Sequence, residues 1–162
     1  MSTLFKLFKE KVTNDLEQKV SVPGLNQETI DETIAFGALL WLVADADDKF
    51  LPQEVKEIEK IIEKFSGISK EQRPYIITAI KNAAEASIDI YSFTKELSAN
   101  FDFKQKTVIV ENLFRVACID NFLDERELET IQKISSLFRL THADFINAKI
   151  KVKHEYNMPV AE

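Results

Sequence analysis

Apolar residues along this chain recur every three or four positions, and almost nowhere every second one. That period lays one apolar stripe on each of a series of helices. Val55, Ile58, Ile61, Ile62 and Phe65 form such a stripe, opened by Pro52 at a first helical position and closed by Gly67. Ahead of it, residues 27–46 read as a helix whose later part, Ile34 to Val43, is apolar nearly all round, the pattern of a helix buried on most sides. This helix is the expected centre of the fold, with Trp41 in the core and Gly37 permitting a close helix contact. Further starts are marked by capping residues. Ser69, with Pro74 soon after it, opens a helix to about Ser87. Asp89 opens one to about Phe101, Asp102 one to about Ile119, Asp124 one to about Arg139, and Thr141 one to about Tyr156. Val108-Ile109-Val110 is β-prone, but Glu111 to Ile119 continues the helical pattern. The expectation is an all-α single domain of seven or eight helices.

The polar interruptions carry a second pattern. Leu40 to Phe65 reads as helix, acidic turn, helix, and the same sequence of elements returns 73 residues later in Leu113 to Phe138. Without a gap, nine of the 26 aligned positions are identical, including Val43/Val116, Ala44/Ala117, Asp47/Asp120, Glu54/Glu127 and Ile58/Ile131. Chance at average residue usage gives roughly one or two. The chain therefore contains an internal repeat of two helix-turn-helix units.

Outside these units the chain divides into three parts. Residues 1–26 form an N-terminal amphipathic helix and turn, with Leu4, Phe5, Phe8 and Val12 on one face, Lys6, Lys9 and Lys11 beside it, and Pro23-Gly24 as breaker. Residues 27–156 form the helical domain, and residues 157–162 a loose tail. The arm over residues 1–12 suits either weak contact with an anionic membrane surface or packing on the core or a partner chain. The second is favoured, because one short basic helix binds membranes weakly.

Composition narrows the functional classes. A net charge of -6 and a pI of about 5.1 argue against a nucleic-acid partner, whose phosphates need clustered Lys and Arg. The single cysteine, Cys118, excludes an intrachain disulfide framework and a cysteine-rich metal site. No apolar run reaches the roughly 18 residues of a membrane span, and the N-terminus lacks the pattern of a signal peptide. The expected compartment is the cytoplasm. The phenylalanines at helical spacing, among them Phe101, Phe103, Phe114, Phe122, Phe138 and Phe145, read as core rather than as a ligand pocket.

Candidate chemistry lies in the acidic turns. Asp45, Asp47 and Asp48 in the first, and Asp120 in the second, follow helix C-termini, where exposed carbonyls disfavour a carboxylate. A Lys, a backbone N–H or a bound cation must offset that cost. Hard divalent cations take oxygen ligands of this kind. Asp47, Glu54, Asp120 and Glu127, with Asp48 and Asp124, are the candidate metal ligands, and calcium, magnesium or manganese the candidate ions. Helix capping is the competing explanation. Asp124 and Glu127 fit a D-x-x-E capping box, whereas Glu54 stands three residues after Leu51, which has no capping side chain. The first turn is no EF-hand, since Lys49, Phe50 and Lys56 occupy positions that need an acid, a glycine and a glutamate. No HExxH or Exx-His pair supports hydrolase or di-iron chemistry. No organic cofactor and no enzymatic activity are expected.

The paired pattern Ala44-Asp47-Phe50-Glu54-Ile58 and Ala117-Asp120-Leu123-Glu127-Ile131 resembles the TerB-like tellurite-resistance family, whose core reads A-D-G-x-[IL]-x-x-x-E twice. The resemblance covers roughly residues 30–150. It implies an all-helical fold with pseudo-two-fold symmetry. It also implies a non-catalytic bacterial stress-response role, with divalent metal bound through the acidic turns and docking into protein complexes near the inner membrane. The expected partners are other proteins, including a membrane-associated stress complex, and a second copy of this chain. Asp48 and Asn121 stand where the family has glycine, which enters the left-handed region at less cost than Asn or Asp. A purely structural interaction module, its acidic turns capping helices without metal, is the alternative.

Overall fold

A computed structural model of the chain describes residues 25–86 and 89–160. Among the described residues there are seven helices and no strand. They are α1 (Gln27–Ala44), α2 (Pro52–Ser66), α3 (Arg73–Glu85), α4 (Ile90–Ser98), α5 (Phe103–Ala117), α6 (Glu125–Leu137) and α7 (His142–Glu155). The N-terminal amphipathic arm expected over residues 1–12 lies outside the described residues, as does most of the turn that follows it.

Helix α1 is the hub. Phe36, Leu39, Leu40, Val43 and Ala44 are fully buried, the large ones each worth about 1.5–3 kcal/mol on removal from water. The helix packs against α2, α3, α4, α5 and α6. A Cβ on Gly37 would overlap the Ile80 side chain of α3, so glycine is what lets the two helices approach. Asn26 caps the helix, accepting from the Thr29 N–H at 2.8 Å.

The packing repeats along the chain. In the first unit α1 packs on α2 and α3; in the second α5 packs on α6 and α7. Across the units α1 meets α5, α1 meets α6, and α2 meets α5. That reciprocal exchange is what a pseudo-two-fold axis between the units requires. Each unit thus packs its first helix on a third, with α4 between the units in the chain.

Some expectations change. Trp41 is half-buried rather than in the core, with its ring against Phe50 at 4.5 Å. Phe103 and Phe122 are 60% and 64% exposed, so they are not core, whereas Phe114, Phe138 and Phe145 are buried. The start of the tail is not loose. Asn157 takes a left-handed φ of 55°, Asn157 N donates to His154 O, Met158 N donates to Lys153 O, and Met158 packs against the core. This is a Schellman ending, with Asn in the usual glycine position.

Candidate functional site

The two acidic turns are built alike, bond for bond. In the first, Asp45 N donates to Trp41 O, Ala46 N to Val43 O and Asp48 N to Asp45 O. In the second, Cys118 N donates to Phe114 O, Ile119 N to Val116 O and Asn121 N to Cys118 O. Asp48 and Asn121 sit at φ 60° and 63°. A left-handed residue is thus required at both places, and short polar side chains supply it where glycine would do so with less strain.

The repeated carboxylates are engaged alike too. Asp47 Oδ1 accepts from Lys49 N at 2.9 Å, and Asp120 Oδ1 from Phe122 N at 3.1 Å. Glu54 Oε1 accepts from Leu51 N at 2.8 Å, and Glu127 Oε1 from Asp124 N at 3.4 Å. Each aspartate closes its own turn, and each glutamate folds back on the start of its helix. Leu51 has no side-chain acceptor, so α2 has half a capping box, while Asp124 completes the box of α6. One oxygen of every repeated carboxylate is thereby accounted for by a backbone N–H.

The two turns meet. Arg126, at the start of α6, donates from Nη2 to the Asp47 carbonyl at 3.0 Å and lies 3.5 Å from Asp48 Oδ2. Glu54 and Glu127 are 4% and 2% exposed, and each carboxyl acts on the titration of the other. Glu127 Oε2 is a buried oxygen without a hydrogen-bond partner. Burial, with the charges of Asp47 and Asp120 behind it, pushes the Glu54 carboxyl up to about 7 despite its bond from Leu51 N. Burial, then the charges of Asp47 and Glu54, pushes Glu127 up to about 9. Two buried carboxyls that act on each other titrate as a pair, and burial biases that pair toward its protonated form.

Of the six candidate ligands, Asp47 and Asp120 act by their charge on the buried carboxyls of Glu54 and Glu127. Asp48 and Asp124 face elsewhere. Asp48 is an exposed side chain beside Arg126, and Asp124 caps α6, accepting from Arg126 N at 2.8 Å and Arg126 Nε at 3.4 Å. The Arg126 N–H bond, with the guanidinium behind it, holds the Asp124 carboxyl below its ordinary range. Asp45 is raised by burial and by the neighbouring charges of Asp48, Glu85 and Asp47. Among the described residues no three His, Cys, Asp or Glu side chains stand as a ready-made metal-ligand group. The donor chemistry fits a hard cation, since all four carboxylates offer oxygen and Glu127 Oε2 is buried and unsatisfied. Cys118 is buried, and burial pushes its thiol up to about 12, away from the reactive thiolate.

Arg126 is the residue that repeat comparison passes over, because its counterpart in the first unit is Gln53. A lone arginine placed two residues after a capping Asp, opposite a turn rich in acid, is the signal that marks it.

No curated protein and no solved structure matches this chain. Residues 33–150 match the family described as "Tellurite resistance protein TerB". That span takes in both acidic turns and most of the seven helices, and its helical architecture is the one observed. The chain belongs to the TerB tellurite-resistance family.

Proposed function

We propose that this TerB-family chain is a non-catalytic stress-response module that binds a divalent cation through its paired acidic turns and docks onto partner proteins. What supports the cation half is the burial of Glu54 and Glu127 together, the charges of Asp47 and Asp120 acting on both, and the buried, unpartnered Glu127 Oε2. Capping explains one oxygen of each carboxylate and leaves the burial of two glutamates side by side without a reason. A cation supplies one, because it takes the place of the shared proton and neutralises the cluster. Asp47 and Asp120 lend charge from the turns, while Glu54 and Glu127 hold the proton that a cation displaces. Calcium, magnesium and manganese all suit an all-oxygen donor set. No helix among the described residues is long and apolar enough to cross a membrane. We place the protein in the cytoplasm, peripheral to the inner membrane through its partners.

The test is calorimetric titration with each cation at pH 6 and pH 8, on the wild type and on Asp47→Asn and Asp120→Asn. Binding is expected to tighten at the higher pH and to release protons to the buffer, and to weaken in both variants. Absence of heat and of any thermal shift at about millimolar cation, well above the range of sensor sites, leaves the acidic turns as caps alone.

A further inference from the structure

A groove runs along α5 on a surface to which no acidic-turn residue contributes. One part, about 600 Å³, lies between α2, α5 and the end of α7; the other, about 370 Å³, lies between α1, α2, α5 and Phe101. The two share Phe65, Val108 and Asn112, so they form one channel. Its floor is apolar: Phe65 and Val108 are 37% and 45% exposed, and Phe65 stacks on Phe101 at 5.9 Å. Exposed apolar residues that adjoin in a concave surface mark a binding site more than scattered ones do.

The rim is basic, on a protein whose net charge is -6. Lys60 and Lys64 line it from α2 and Lys104 from α5. Among the described residues none of the three makes an ion pair. The lining carboxylate Glu155 is neutralised by Arg115, at 2.9 Å to each of its two oxygens. That leaves three lysines against Glu57. From Lys104 to Arg115 the groove wall is twelve residues of helix, about 16 Å between the first and last, or three turns.

We infer that this groove receives an acidic amphipathic helix of a partner protein, its apolar side chains seated on Phe65, Phe101 and Val108 and its carboxylates against Lys60, Lys64 and Lys104. Helix-in-groove recognition uses anchors spaced by one and two turns, which a channel of this length and two compartments accommodates. Charge decides against the chain's own arm, whose residues Lys6, Lys9 and Lys11 would meet lysines. A concave channel also suits a helix better than a flat lipid surface. The inference gives a chemistry to the docking half of the proposed function, and it stands apart from cation binding.

The experiment uses the full chain and a labelled helical peptide of about 16 residues, three to four turns longer than one anchor pair needs, with Leu at helical spacing and Glu between. The control peptide has Lys for every Glu. Anisotropy is expected to show the acidic peptide bound more tightly by roughly tenfold, with the preference weakening as salt is added. Lys60→Glu with Lys64→Glu should reverse the preference, and Val108→Asp should abolish binding of both peptides. All three are surface positions, and unchanged melting temperatures confirm that the variants fold. Equal binding of the two peptides, or binding indifferent to these variants, overturns the inference. So does binding that emerges only in Phe5→Glu with Phe8→Glu, which assigns the groove to the chain's own arm. A dimer in sedimentation that Val108→Asp dissolves assigns it to a second copy. Capture by phosphatidylglycerol vesicles without peptide binding assigns it to lipid. Calorimetry with calcium on the same variants separates the two readings. Intact cation heat with no peptide binding removes the groove alone; intact peptide binding with no cation heat removes the cation site alone.

Discussion

The first and second acidic turns share a backbone and differ in how they balance charge. Both have the same three backbone bonds, a left-handed fourth residue, an aspartate closing the turn and a glutamate folded back from the next helix. The first adds Asp45 and Asp48 and has no capping side chain at Leu51. The second has Cys118 and Asn121 at those places, a full cap at Asp124, and Arg126 reaching back to the first turn. What the units hold in common is the Asp and Glu that converge. What they divide between them is surplus acid on one side and the cation that answers it on the other. The shared parts are therefore the candidate site, and the differing parts balance charge around it.

The largest expected effect comes from the shared parts. The Glu54 and Glu127 carboxyls titrate higher when folded than their ordinary value of 4.5, near 7 and 9 respectively. Between those values the unfolded chain has already released protons that the folded chain retains. Stability contributed by the pair is therefore complete below pH 4.5 and declines as pH rises through 7 to 9. Glu127→Gln removes the charge while its carbonyl can still accept from Asp124 N and its amide can donate to Glu54. In chelator, urea unfolding should show the variant equal to wild type at pH 5 and more stable by about 1–3 kcal/mol at pH 9, the scale of an unsatisfied buried polar group. Parallel pH profiles for the two proteins would break the proton-sharing account.

The next effect tests whether the turns are equivalent as backbone. Asp48→Ala and Asn121→Ala should each cost about 1 kcal/mol, because a Cβ is strained in the left-handed region and alanine has no polar side chain to bond locally. Asp48→Gly and Asn121→Gly should cost nothing or stabilise by a few tenths of a kcal/mol. Thermal melts of the four variants suffice. An alanine effect at one turn but not the other would mean that the matching φ values do not carry matching strain.

Capping separates the turns at a similar scale. Asp124→Ala should lower stability by about 1 kcal/mol, the usual loss for a cap. Leu51→Ser supplies the acceptor that α2 lacks and should raise stability by up to about 1 kcal/mol. If Asp124→Ala is silent while Glu127→Ala is not, the second turn depends on its glutamate and not on a reciprocal box.

Most of the frame is legible in the sequence because local rules agree there. Asp89, Asp102, Asp124 and Thr141 all cap helices where their side chains say they should. The apolar stretch of α1 reads as central and is central. The contents of the site are legible in part. Repetition alone distinguishes Asp47 and Glu54 from Asp45 and Asp48; in the structure Asp47 and Glu54 act on the buried Glu127 carboxyl, while Asp48 is exposed beside Arg126. Two things are not legible. Which turn approaches which depends on how the helices exchange across the pseudo-dyad, a tertiary relation with no local signature. The protonation of the Glu54–Glu127 pair depends on burial and on contact between residues 73 positions apart. Capping patterns also hide it, since a glutamate at the third position of a helix looks fully explained by its cap. Phe103 and Phe122 mislead for the reverse reason: helical spacing suggests core, but Phe103 is the first residue of α5 and Phe122 lies in the turn before α6, and both are exposed.

Arg126 gives the smallest effect and the finest test of the comparison. Its side chain is 53% exposed and Asp48 is 89% exposed, so solvent screens their 3.5 Å pairing heavily. The bond from Nη2 to the Asp47 carbonyl adds a geometric tie between the turns but not a buried one. Arg126→Gln places in the second unit the residue found at the matching position of the first, Gln53. Metal-free stability should fall by less than about 1 kcal/mol, and the difference should vanish in high salt. The same change removes a fixed positive charge beside Asp47. If the carboxylates of both turns act on one cation, Arg126→Gln should tighten its binding at low ionic strength by a few-fold, while lowering stability in its absence. A loss on both counts would show instead that Arg126 positions the turns, with the guanidinium holding Asp47 in place for the ion.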